Sequence, residues 1–228
     1  MADIWQAVEE QLDDLGYAIV PALLGAEECR AVAAMYAEPE RFRSRIVMQR
    51  HSFGQGEYQY FAYPLPELVE RLRHTAYPQL APIANRWRQM LGQGGSFPGD
   101  LDAYLAQCHE AGQKRPTPLL LKYGPNDYNR LHQDLYGPLN FPMQMAILLS
   151  RPDGDFEGGE FVLTEQRPRA QSRVEVVPLN QGDAVIFAVN HRPVQGARGP
   201  YRVTMRHGVS RVRAGERYTL GIIFHDAA

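Results

Sequence analysis

Several things are scarce in this chain. Its 228 residues include two cysteines, Cys29 and Cys108, which lie in unrelated segments and form no CxxC pair. That excludes a disulfide framework and makes a reducing cytoplasm the expected compartment. No apolar run reaches the roughly 18 residues that a membrane-spanning helix needs. The opening MADIWQAVEEQLDDLG is acidic, without the basic stretch and apolar segment of a signal peptide, so neither secretion nor a membrane span is expected. An excess of one charge is also missing: 24 basic against 26 acidic residues leave a net charge of −2. Such a balance exerts no global pull toward nucleic acid or an anionic membrane. Lysine is rare too, with Lys114 and Lys122 the only two among the 24 basic residues; genome composition alone produces such a bias, and no function follows from it.

What remains is an ordinary globular composition, 44% hydrophobic and 22% charged, long enough to bury one good core. The first 37 residues read helix, strand, helix. Trp5, Val8, Leu12 and Leu15 recur at helical spacing before Gly16, YAIVPAL follows as a short strand, and AEECRAVAAMYA has helical period. Residues 43–63 alternate and are aromatic, and the GQG at 54–56 marks them as a hairpin. Pro64 to Leu91 is expected to be largely helical, with Leu68, Leu72, Leu80, Ile83, Trp87 and Leu91 facing inward, and DLDAYLAQCHEAG is a short helix. From residue 118 the character changes to eight short apolar or alternating segments punctuated by Gly, Pro and Asn. This spacing indicates an all-β sandwich or barrel. The expected organisation is therefore a support region, 1–117, packed on a β core, 118–228, within one integrated α+β domain.

Chemistry enters at LHQDLYG, residues 131–137. On a strand, alternate side chains share a face, so His132 and Asp134 project together. An imidazole nitrogen and a carboxylate oxygen at that spacing can occupy adjacent positions on one metal, and a second histidine from a distant strand would complete a 2-His-1-carboxylate site for non-haem Fe(II). Two histidines compete. His207 is followed ten residues later by Arg217, in a strand where Arg217, Thr219 and Gly221 share a face; His191 is followed by Arg202. An inward guanidinium near a metal suits a dicarboxylate, which it grips through two parallel hydrogen bonds.

HQD, GGEF at 158–161, GDAVIF at 182–187 and HGVSRVRAGER at 207–217 together resemble the 2-oxoglutarate- and Fe(II)-dependent dioxygenases, in particular their prolyl-hydroxylase-like branch. His207, Val209, Val212, Gly215 and Arg217 match that branch's H-x-V-x-x-V-x-x-G-x-R pattern position by position. The resemblance spans roughly residues 118–226. It implies a double-stranded β-helix (a jelly-roll, cupin-like core) with supporting N-terminal helices. It further implies iron held by His132, Asp134 and His207, 2-oxoglutarate as co-substrate with its distal carboxylate on Arg217, and O2 as oxidant. Tyr123 matches the tyrosine that precedes the HxD motif near 2-oxoglutarate. The tyrosine that some relatives carry on the strand after HxD has no counterpart in MAILLS, so Thr219 or Gln144 is expected to assist Arg217 instead. The phytanoyl-hydroxylase-like branch places its histidine soon after the GD strand, which keeps His191 and Arg202 as the rival pair. Because Asp134 is present, a halide has no vacated position, and the halogenating variant is disfavoured.

The expected function is thus a hydroxylase acting on a small molecule or a protein side chain, with nucleic acid disfavoured by charge and a homodimer left open. A cupin-like metal-binding sensor without turnover and a nucleic-acid demethylase of the same superfamily are the alternatives. Three further features stay double-edged. Tyr136 shares the metal-facing side and either borders substrate or packs. SFGQGEYQYFAY is either a lid or an aromatic hairpin packed on the core. Arg167, Arg169 and Arg173 form either a solvated basic loop or a contact for an acidic substrate.

Overall fold

The computed structural model describes residues 2–228. The N-terminal part holds α1 (Ala2–Leu15), β1 (Tyr17–Val20), α2 (Ala26–Ala34), β2 (Phe42–Val47), β3 (Gly54–Gln55), β4 (Glu57–Phe61), α3 (Glu67–Met90) and α4 (Leu101–Glu110). The rest is strand: β5 (Leu119–Tyr123), β6 (Tyr128–His132), β7 (Met143–Leu148), β8 (Phe156–Gly158), β9 (Phe161–Gln166) and β10 (Arg173–Val177) come first. They are followed by β11 (Ala184–Ala188), β12 (His191–Gly196), β13 (Gly199–Val209), β14 (Val212–Gly215) and β15 (Arg217–Ile223). A major sheet runs β1-β11-β7-β15-β5-β4-β2 and a minor sheet β10-β9-β13-β6-β3, with β12 also paired to β13 and β14 to β8. All these pairings are antiparallel. The jelly-roll core follows the sequence expectation, while β1, β2, β3 and β4, from the expected support region, are themselves strands of its two sheets.

Strand periodicity divides each residue's task. Along β15, Leu220 and Ile222 turn toward the helices and join the main core, while Arg217, Thr219, Gly221 and Ile223 line an internal cavity. β5 does the same: Leu120 belongs to the helical core, and Leu119, Leu121 and Tyr123 face the cavity. The helical cover is chiefly α3, which continues through Pro78 and Pro82. Each proline removes one backbone hydrogen bond, and burial of Tyr77, Leu80, Ala81, Ile83 and Trp87 offsets that loss, at roughly 1.5–3 kcal/mol for a large apolar side chain. α4 starts where the Asp100 carboxylate accepts the Ala103 N–H, 3.0 Å away.

Residues 42–61 are more than a hairpin. β2 and β4 pair and extend the major sheet from β5, whereas β3, between them, leaves to pair with β6 in the minor sheet. Gly54 makes the crossing feasible. Its φ is +151°, and a Cβ there would lie 2.2 Å from the Tyr128 carbonyl oxygen. Only glycine tolerates that approach.

Candidate metal and co-substrate site

The facing strands set the site by register. His207 on β13 is the direct partner of His132 on β6, and Arg217 on β15 is the direct partner of Tyr123 on β5. Directly opposed residues hold their side chains about 5 Å apart at the Cβ atoms, so each pair is juxtaposed by the sheet itself. The His132 and His207 rings are 4.2 Å apart at their centroids. Asp134 lies just beyond β6. Its Oδ1 is 3.5 Å from His132 Nε2 and its Oδ2 is 3.3 Å from His207 Nε2. Among the described residues, these three form the one group of His, Cys, Asp or Glu side chains close enough to share a metal ion, with ligand atoms within 4.8 Å of one another.

Each donor is prepared by its surroundings, His132 and Asp134 by hydrogen bonds and His207 by burial. His132 Nδ1 is 2.7 Å from the Arg130 carbonyl oxygen; a carbonyl only accepts, so Nδ1 carries the proton and Nε2 keeps its lone pair for a metal. His207 is 6% exposed, and burial, together with the charge of His132, pushes its pKa down to about 4. It is therefore neutral and a competent ligand near neutral pH. Burial alone would raise the Asp134 carboxyl, but the neighbouring His132 and His207 outweigh it and hold the group well below the usual carboxylate range. Tyr136 donates to Asp134 Oδ1 at 2.8 Å and the Gln144 amide to Oδ2 at 2.9 Å.

Deeper in the same cavity, which has a volume of about 300 Å3, Arg217 is 2% exposed. Burial lowers its pKa to about 10, so it stays charged. Its Nη1 donates to Thr219 Oγ1 at 2.5 Å, yet its Nε has no partner among the described residues, nor do Tyr123 Oη and Gln144 Oε1. An isolated buried cation is costly. Unsatisfied donors at Arg217 and Tyr123, beside three convergent metal donors, match a dicarboxylate that reaches from the metal to the guanidinium.

The expected residues thus separate clearly. His132, Asp134, His207, Tyr123, Arg217 and Thr219 all line one cavity. His191 lies elsewhere, in a pocket with Trp87, Arg88 and Leu91, and Arg202 pairs with Pro193 on the neighbouring strand. Gln144 contacts Asp134 and His207 rather than Arg217, while Thr219 takes the Arg217 contact. Tyr58 and Tyr60 of β4 also reach the site, Tyr58 as cavity wall and Tyr60 through a 3.1 Å hydrogen bond to Tyr136. Their alternation in EYQYF placed both on one strand face, but nothing local said which face.

A family model described as "oxygenase, catalysing oxidative methylation of damaged DNA" matches residues 56–227. Two curated proteins of Mycobacterium tuberculosis, both described as uncharacterised and from strains CDC 1551 and H37Rv, are each 54% identical over 168 residues, covering 74% of this chain and 72% of theirs. Solved structures share the fold at low identity. A Pseudomonas putida prolyl-4-hydroxylase is 17% identical with a TM-score of 0.57, covering 95% of this chain and 96% of that one. A Burkholderia pseudomallei oxidoreductase of the 2OG-Fe(II) oxygenase family is also 17% identical with a TM-score of 0.57, covering 98% and 93%. The α-ketoglutarate-dependent epimerase SnoN of nogalamycin biosynthesis has a TM-score of 0.58 at 14% identity, covering 97% and 82%.

The fold is the one that Fe(II)- and 2-oxoglutarate-dependent oxygenases share, and the family is one of oxygenases. The chain belongs to the oxygenase family whose model it matches over residues 56–227.

Proposed function

We propose that His132, Asp134 and His207 hold the iron, and that Arg217, with Thr219 and Tyr123, binds the distal carboxylate of 2-oxoglutarate. The reaction these residues would serve is oxidation of a substrate C–H bond, most simply hydroxylation, with 2-oxoglutarate and O2 as the co-substrates. The observation that carries this reading is a fully buried Arg217 with an unpartnered Nε and no ion pair among the described residues, in one cavity with a three-donor metal cluster. Iron with 2-oxoglutarate supplies the oxidising power when bound. The chain supplies the rest. The Arg130 carbonyl fixes the His132 tautomer, Arg217 orients a carboxylate, and Phe161, Phe187 and Leu121 wall the cavity against water. A metal-binding sensor without turnover would have no use for Arg217, which is costly to bury.

The rim bears on the substrate. Phe53 and Leu135 line the cavity and are 48% and 49% exposed. The Phe53 ring is stacked on His51 at 5.3 Å. Arg130 reaches back to the Ser52 carbonyl and forms no ion pair among the described residues. An exposed aromatic side chain at the cavity mouth, with Arg130 on the adjoining strand, favours a planar group in the entering substrate, and the family description names damaged DNA. An extruded or single-stranded base therefore stands as a second reading beside a small molecule or protein side chain. The net charge of −2 speaks against a broad nucleic-acid footprint but not against such a local contact. Both cysteines are free and buried, which fits the cytoplasm as the proposed location. Among the described residues, no helix is long and apolar enough to cross a membrane.

Anaerobic addition of Fe(II) and 2-oxoglutarate tests the site: the weak visible charge-transfer band of the chelate is expected, and its absence at saturating 2-oxoglutarate overturns the assignment. Succinate formation across methylated single-stranded oligonucleotides, prolyl peptides and small metabolites then selects the substrate class.

A further inference from the structure

Asp134 is held from behind by a relay of phenol hydroxyls that begins on a strand remote in sequence. Tyr136 Oη lies 2.8 Å from Asp134 Oδ1, and Tyr60 Oη lies 3.1 Å from Tyr136 Oη. The direction of the relay is forced. A carboxylate that serves as a metal ligand only accepts, so the Tyr136 hydroxyl donates to Asp134 Oδ1. The Tyr136 oxygen is then left to accept, and Tyr60 donates to it.

The far end is anchored as well. The Arg43 guanidinium sits 4.5 Å from the centre of the Tyr60 ring, and its Nε donates to the Pro116 carbonyl at 2.8 Å. Tyr60 itself is 7% exposed and packs edge-on against both Tyr58 and Tyr136. Tyr136 also faces the cavity, in a loop that follows β6 and lacks strand pairing of its own. There the Tyr60 hydroxyl is the group that bonds the Tyr136 oxygen from the side away from Asp134. The other carboxylate oxygen takes the Gln144 amide at 2.9 Å. The two donors therefore fix the plane of the Asp134 carboxylate and leave each oxygen one lone pair toward the histidines.

We propose that Tyr136 is a positioning residue for Asp134 and that Tyr60 acts only through it, so that a residue of the β4 strand contributes to metal affinity without touching the metal site. The inference rests on the proposed assignment of Asp134 as a metal ligand. Hydrogen-bonding partners behind a ligand commonly contribute about 10–100-fold to metal affinity.

Mn(II) and Co(II) titrations of the protein without 2-oxoglutarate or substrate provide the test. Tyr136→Phe keeps the ring and removes the donor; it is expected to weaken Mn(II) binding about 10–100-fold and to shift the visible ligand-field bands of bound Co(II). Tyr60→Phe is expected to weaken Mn(II) binding by a smaller factor. In the double variant the Tyr60 effect should disappear, because the group through which it acts is gone. Thermal midpoints of the three variants, followed by circular dichroism, separate folding from binding. Unchanged Mn(II) affinity and Co(II) bands in a folded Tyr136→Phe protein overturn the proposal, and so do additive effects of the two substitutions. Failure of the unsubstituted protein to bind either metal would instead remove the ligand assignment on which the proposal stands.

Discussion

Arg217 and Tyr123 sit directly opposite each other on β15 and β5, with the guanidinium carbon 5.7 Å from the centre of the tyrosine ring. The pair closes the inner end of the cavity, and both side chains hold polar atoms that no described residue satisfies. A charged hydrogen bond contributes about 1.5–3 kcal/mol, and roughly 1.4 kcal/mol is a factor of ten. Arg217→Met is therefore expected to raise KM for 2-oxoglutarate by about 10–100-fold while leaving Mn(II) affinity within a few-fold. Steady-state succinate assays and metal titration check the two halves, and a fall in Mn(II) affinity as large as the rise in KM would place Arg217 at the metal instead.

The two candidate histidines differ in surroundings as well as position. His207→Ala should abolish Mn(II) and Fe(II) binding measurable by calorimetry, because it removes one of three donors. His191→Ala should leave binding intact, since His191 lines a separate pocket. The reverse result would move the site to His191 and Arg202.

His225 predicts a pH dependence of stability. It is 1% exposed, its Nδ1 accepts the Phe141 N–H at 3.1 Å, and burial pushes its pKa down to about 4 from 6.5. Below the unfolded-state value the unfolded chain binds the proton that the folded chain refuses, so stability falls as pH drops through 6.5 toward 4. This one group is expected to remove about 2 kcal/mol between pH 7 and pH 5. In His225→Asn the amide oxygen can still accept from Phe141 and nothing titrates, so the urea midpoint should vary less steeply over that range. A pH profile as steep as that of the unsubstituted protein would contradict the assignment.

Gly54→Ala should be strongly destabilising. The added Cβ would meet the Tyr128 carbonyl at 2.2 Å, at a φ that L side chains rarely adopt. A loss of about 2–4 kcal/mol in urea unfolding is expected. Gly92→Ala, with nothing within 4 Å of its added Cβ but also at positive φ, serves as the control, with a loss of about 1 kcal/mol. Equal losses in the two variants would mean that the close approach at Gly54 is relieved cheaply.

The HxD pair is legible from its two-residue spacing, but β6 ends at His132 and Asp134 lies in the segment beyond it, so the strand alternation expected there does not extend to Asp134. His207 and Arg217 were legible through their spacing within one continuous motif. Gln144 was weighed as a helper for Arg217, but its contacts depend on the order of strands in the major sheet, which places β7 between β11 and β15. The sequence places Tyr60 only in a segment that is either a lid or a packed aromatic hairpin, since its link to Tyr136 spans 76 positions. The same limit applies to GQG. Composition marks a turn there, but the choice between a hairpin tip and a crossing from sheet to sheet depends on where β6 lies.

That crossing has a consequence for how the enzyme can diversify. The stretch from Met48 to Glu57 borders the cavity mouth through Phe53 and is also stitched into both sheets. The entrance is a beam of the frame, not a door hung on it. Changing what enters by lengthening or reshaping this stretch would disturb the edges of both sheets. New specificities would therefore arise by exchanging single side chains such as Phe53 and Leu135, while the backbone around the opening stays as it is.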